Sequence, residues 1–258
     1  MQLRAFCDRL DEELRTDDFA DLDASPNGLQ VGPERGSVER VAFCTDGVAQ
    51  TFDLAAEWDA DAVVVHHGIS WGGIERITGR HYKRVAPLIE NDMALYAAHL
   101  PLDSHPELGN AAGIADLLEL DWREGFGEIG PEHVGLRGRL AESTTAAELR
   151  ETLAGALSTD GQPIQVLDHG PDEIEDVAIA TGDGSGYVDE AHEKGVDALV
   201  IGEGKQKTYH EAREAELTVV LAGHYATETF GVRNLQQWME TEWDEDLKTT
   251  FFDVPTGI

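Results

Sequence analysis

The segment VAFCTDGVAQTFDLAAEWDADAVVVHHG (41–68) aligns without a gap to VAIATGDGSGYVDEAHEKGVDALVIGEG (177–204), at an offset of 136 and with ten of 28 positions identical. Each copy reads as a β-branched strand, a turn rich in Gly or Asp, an amphipathic helix (near 48–58 and 186–194) and a second apolar strand. A βαβ unit that occurs twice restricts the chain to an α/β fold with parallel strands, built as two pseudo-symmetric lobes. Two further apolar strands follow the copies, MALYAAH (93–99) and LTVVLAGH (217–224), and each ends in a histidine. Between them, a region near 126–175 reads as a strand (133–141), a helix opened by the capping box Thr145-x-x-Glu148, and a strand (163–168). The expected organisation is a single unit over 1–258, with lobe one about 1–125 and lobe two about 126–258.

Hydrophobic residues make up 41% of the 258 and gather in runs such as 63–65 and 198–202, enough for a core. Against 19 Lys+Arg stand 51 Asp+Glu, a formal charge of −32. That balance excludes a protein that coats nucleic acid, because a phosphate backbone needs cationic partners. The acids run through every segment, and their self-repulsion is relieved only where salt shortens the screening length to roughly 3 Å at about 1 M. The expectation is a cytoplasmic protein of a salt-in halophile. Cys7 and Cys44 are too few for a disulfide framework and read as buried apolar fillers. Leu3, Phe6, Leu10 and Leu14 share one face of an N-terminal helix that is too acidic for a signal peptide, and no apolar run approaches the ~18 residues of a membrane span.

His66 and His67 follow Val63–Val65 directly, at the carboxyl end of a buried strand, where open α/β sheets place ligands. Neighbouring strand residues face opposite ways, so both imidazoles serve one site only if the chain turns, which Gly68 permits. His99 precedes Asp103 by four residues, and His224 precedes Glu228 by four. The i, i+4 spacing suits a helical start at His224, whereas Pro101 makes the first copy read as a loop. Histidines at three repeat-related strand ends, with carboxylates, point to a metal site of the Zn, Mn, Fe, Co or Ni type. Two such ions can share a water as nucleophile, and no side-chain nucleophile motif competes, since GDGSG (182–186) lacks the G-x-S-x-G spacing.

NGLQVG (27–32), HHGISWGG (66–73), AAHLPLD (97–103), TGDGSG (181–186), GEGKQKTYHEARE (202–214) and GHYATETFGV (223–232) together make the chain resemble the YbgI-type, Nif-three-like dinuclear-metal family, also known as GTP cyclohydrolase 1 type 2 homologues. The resemblance implies the Nif-three-like fold and two divalent metal ions per chain held by His66, His67, Asp103, His224 and Glu228, with Glu228 as the bridge. It also implies a ring-like homohexamer and a small nucleotide or pterin-like substrate. Two departures stand beside it: Gly68 where the family commonly has Pro, and Pro101 where it usually has Asn. Neither removes a ligand.

Around the metals, His99 is either a supporting hydrogen-bonding group or a sixth ligand. Asn27 and Gln30 either orient substrate or close a turn, and Trp71 either stacks a ring or packs as a lid. Lys205 and Lys207 either recognise phosphate or are solvated loop charge. The expected activity is metal-dependent hydrolysis, which the resemblance places in the GTP cyclohydrolase class. A metal-binding scaffold or regulatory protein is the alternative, and a phosphodiesterase or phosphatase a third option. A closed ligand shell would favour the scaffold, and an open one the enzyme.

Overall fold

A computed structural model of the chain describes residues 1–33, 36–73, 76–243 and 246–258. Among these the strands, in chain order, are β1 (Gly28–Val31), β2 (Arg40–Asp46), β3 (Ala62–His67), β4 (Ala94–Ala97), β5 (Leu120–Ile129), β6 (Glu132–Thr144), β7 (Gln165–Leu167), β8 (Ile174–Ala180), β9 (Ala198–Ile201), β10 (Thr218–Leu221) and β11 (Lys248–Phe251). They form a sheet of order β1-β4-β3-β2-β11 and a second of order β5-β6-β8-β9-β10-β7. The chain divides into two compact units, Met1–Leu102 with Val232–Val254, and Asp103–Gly231 with Pro255–Ile258.

In the first unit, β2, β3, β4 and β11 run parallel and β1 closes the far edge antiparallel to β4. Parallel strands are covered on both faces, so they read as unbroken apolar runs rather than alternating ones. Val63, Val64 and Val65 are accordingly all fully buried. Phe52 from the helix Ala49–Glu57 and Leu88 from the helix Arg80–Glu90 pack on Ala42, Cys44, Val63 and Val65. The N-terminal helix Leu3–Leu14 buries Leu3, Phe6, Cys7, Leu10 and Leu14, the stripe expected from its 3.6-residue spacing.

The second unit repeats the plan. β8, β9 and β10 are parallel and β7 closes the edge antiparallel to β10. The offset of 136 survives as pairing register: Val41 lies opposite Ala62 and Val177 opposite Ala198. It survives also in side chains, because Asp61 Oδ2 accepts from the Glu39 and Arg40 amides while Asp197 Oδ2 accepts from those of Glu175 and Asp176. The repeated aspartate therefore pins the start of each βαβ unit.

Three features depart from expectation. A strand, β5, precedes the anticipated one and forms a hairpin with β6 across Gly130 and Pro131. Its sequence LDWREGFGEI is mostly exposed or half-buried and lacks an apolar signal. Residues Leu100–Asp103 form a helical turn where a loop was expected, since proline is tolerated in the first turn of a helix. Finally, β11, which carries little hydrophobic pattern, returns to the first sheet beside β2. The capping box is present as expected, with Thr145 Oγ1 accepting from the Glu148 amide and Glu148 Oε2 from the Thr145 amide.

Candidate functional site

In the first unit, the ends of β3 and β4 bring three imidazoles together. Ring centroids lie 4.6 Å apart for His66 and His67, 5.0 Å for His66 and His99, and 5.7 Å for His67 and His99. One ring nitrogen from each lies within 4.8 Å of the other two, close enough to hold an ion. Each Nδ1 is committed to an oxygen that can only accept: His66 to the Ala98 carbonyl at 2.9 Å, His67 to Asp46 Oδ1 at 2.8 Å, and His99 to Asp23 Oδ1 at 3.0 Å. Nδ1 must then carry a proton, which leaves Nε2 as the ring atom available to an ion. This pre-orientation is the usual support of metal-ligating histidines.

Asp46 stands directly opposite His67 in the β2–β3 register, which explains the contact. Asp23 comes from the loop before β1, where its side chain is only 2% exposed. Its carboxylate also accepts from the Ser25 and Leu100 amides and from Asn27 Nδ2. Burial pushes its pKa up, but the hydrogen bonds and charge of His99 and the Asn27 amide outweigh this and hold it at about 2.

Asn27 Oδ1 accepts from the His99 amide at 2.8 Å, so Asn27 bridges Asp23 and the β4 end. Gln30 donates to the Pro26 carbonyl and accepts from the Ile69 amide, fastening the chain just after the paired histidines. Gly68 serves this fastening rather than a left-handed turn: a Cβ there would lie 2.3 Å from the Gln30 amide. Trp71 is half exposed, with its ring edge-on to His99 at 4.8 Å and 5.8 Å from His67.

In the second unit, His224 opens the helical turn after β10. Its Nδ1 lies 3.0 Å from Glu203 Oε1 and its Nε2 3.2 Å from Glu228 Oε2. Burial lowers the imidazole pKa, but hydrogen bonds and charge from Glu228 and then Glu203 override it and push it up to about 9. Glu228 is nearly buried, and it lies so close to Gly182 that a Cβ there would fall 2.2 Å from Oε1. The glycine of TGDGSG is thus a cradle for this carboxylate, and its φ of +61° also favours glycine. Asp103 Oδ1 accepts from Asn110 Nδ2 at 2.8 Å, and the fully buried Asn110 accepts in turn from the Gly231 amide.

Lys205 donates to Asp183 and Lys207 to Glu211, so both cations are neutralised locally. Sequence reasoning missed Asp23, Asp46, Glu203 and Asn110, the groups that orient the candidate ligands. Glu203 was accessible to it, because the offset of 136 maps it onto His67. The donor chemistry fits divalent ions of the imidazole-and-carboxylate class.

A family profile, Duf34/NIF3 (NGG1p interacting factor 3), matches residues 1–257. The chain belongs to the Duf34/NIF3 family. A Halobacterium salinarum protein named GTP cyclohydrolase 1 type 2 homolog is 54% identical over 250 residues, covering 97% of each chain. Among solved structures, protein ybgI, described as of unknown function, is 35% identical with a TM-score of 0.91 over 100% of both chains. A Thermus thermophilus protein, also 35% identical, has a TM-score of 0.88 over 100% of both. The fold is the two-lobe α/β fold of this family, as the motifs implied. No helix among the described residues is long and apolar enough to cross a membrane.

Proposed function

We propose that the protein is a dinuclear metal-dependent hydrolase acting on a small nucleotide or pterin-like heterocycle. His66, His67, Asp103, His224 and Glu228 together hold two divalent ions, Glu228 bridging them. The observation that carries this reading is the set of committed Nδ1 atoms: four histidines at repeat-related strand ends are each locked by a carboxylate or carbonyl in the orientation that suits a ligand. Such ions, when bound, supply Lewis acidity and lower the pKa of water. The chain's own part is to fix the ligands: Asp46, Glu203 and Asn110 orient His67, His224 and Asp103, and Asp23 holds His99 behind them. The name of the Halobacterium relative supports a GTP-like substrate. The charge of −32 supports a salt-rich cytoplasm, and family resemblance supports a homohexamer.

The test is metal content by elemental analysis, with turnover of GTP, cyclic dinucleotides and phosphate esters screened on the same sample in molar KCl with Mn, Zn or Fe. Wild type should carry about two ions per chain, Glu228→Gln should approach zero, and Asp103→Asn about one, because only the bridge serves both ions. Loss of a single ion in Glu228→Gln would refute the bridge. Full loading without turnover of any substrate would refute the hydrolase and favour a scaffold.

A further inference from the structure

The segment from Arg76 to Ile89 contains no Asp or Glu, in a chain where 51 of 258 residues, about one in five, are acidic. Within it lie Arg76, Arg80, Lys83 and Arg84, four of the chain's 19 Lys+Arg. Several cations elsewhere meet acids: Arg15 meets Asp18, Arg137 meets Glu124, Arg139 meets Asp176, Lys205 meets Asp183 and Lys207 meets Glu211. None of these four has an acidic partner among the described residues. Arg80 and Arg84 are spaced i, i+4 on the helix Arg80–Glu90, an arrangement of like charges that by itself disfavours the helix.

These side chains line a cavity. Arg76, Thr78, Arg80, His81 and Arg84 border an open space of about 860 Å³ whose other wall includes Trp71. Spaces of roughly 300–1,000 Å³ suit small-molecule ligands. Trp71 is the residue whose ring edge abuts His99, so one wall of the cavity adjoins the imidazole cluster and another is cationic.

We propose that this cavity is a phosphate-binding site: Arg76, Arg80 and Arg84, with His81 and Thr78, grip the phosphates of a nucleoside polyphosphate whose heterocycle lies against Trp71. Guanidinium groups suit the task because they engage phosphate oxygens through paired, geometrically fixed N–H donors. The negative charge of the chain as a whole does not prevent it. At about 1 M salt the screening length is roughly 3 Å, so direct contacts decide binding and the distant field does not. The proposal rests on the hydrolase reading only for the direction in which the heterocycle points. The phosphate site itself needs no metal.

The experiment uses EDTA-treated full-length protein in 0.2 M and 2 M KCl, with GTP, inorganic tripolyphosphate and guanosine as probes, followed by calorimetry and tryptophan fluorescence. GTP and tripolyphosphate should both bind, and R80A/R84A should weaken both at least tenfold with its unfolding midpoint unchanged. R80K/R84K, which keeps charge but loses the fork, should weaken them by less, and K205A/K207A should change neither. W71F should abolish a fluorescence change that GTP produces and tripolyphosphate does not. Failure of tripolyphosphate to bind, or affinity within twofold of wild type in R80A/R84A, overturns the site. A single-stranded oligonucleotide that binds more tightly than GTP and is lost in R80A/R84A overturns the assignment to a small nucleotide. Because the samples are metal-free, none of these outcomes depends on whether the metal assignment holds.

Discussion

Asp23→Asn isolates the largest polar support in the first unit. The carboxylate receives four donors, His99 Nδ1 and the Ser25 amide on one oxygen, Asn27 Nδ2 and the Leu100 amide on the other. An amide offers a single acceptor oxygen, so its NH2 must confront two donors whichever way it turns. Hydrogen bonds to a charged group contribute about 1.5–3 kcal/mol each, and partial relaxation should leave a net loss of about 2–4 kcal/mol. The pKa points the same way: these hydrogen bonds hold the carboxyl at about 2, below its ordinary 3.8, with little solvent screening because the side chain is 2% exposed. The assay is urea unfolding of metal-free protein in 2 M KCl, with the exposed Asp21→Asn as control. Since the folded pKa lies below the unfolded one, Asp23 contributes fully above about pH 4, and the contribution fades as the pH falls toward about 2. Wild type and variant should therefore converge in acid. A loss below 0.5 kcal/mol at pH 7, or a gap that does not narrow in acid, would refute the reasoning.

Gly182→Ala should displace Glu228 and reduce metal content without touching any ligand, measured by elemental analysis beside wild type; unchanged loading would show that the cradle is dispensable. Burial pushes the Cys7 thiol up to about 11 and Cys44 up to about 12, and it pushes the Tyr96 hydroxyl up as well. These groups stay protonated in the folded chain while the unfolded chain ionises, so stability should fall as the pH rises above about 9, and both thiols should resist alkylation at pH 8 until the protein unfolds. The melting temperature should climb steadily from 0.2 M to 3 M KCl as the acidic surface is screened; a flat profile would remove the salt-adapted reading.

The repeat and the strand-end histidines were legible because buried parallel strands write themselves as apolar runs and their carboxyl ends are marked by the first polar residue. The supporting acids were harder to see. Asp46 and Glu203 each act on a histidine 21 residues away, through strand register rather than through local spacing. Asp23 reaches His99 across 76 residues from a loop without periodicity, so no window of sequence contains the pair. Gly68 reads in sequence as a turn glycine, whereas the need for it comes from Gln30, a partner 38 positions upstream. β5 and β11 escape the sequence for a related reason: half-exposed edge strands carry little hydrophobic pattern.

The return of β11 to β2 bears on how the chain is made. During synthesis the first 102 residues emerge without their edge strand, leaving the backbone groups of β2 unpaired on one side. Roughly 150 more residues must follow before Phe251 can dock. At about 5–20 residues per second this is an interval of about 8–30 s. During it the second unit, nearly continuous in sequence, can close first, so the half of the molecule that is translated earliest is the one that finishes last.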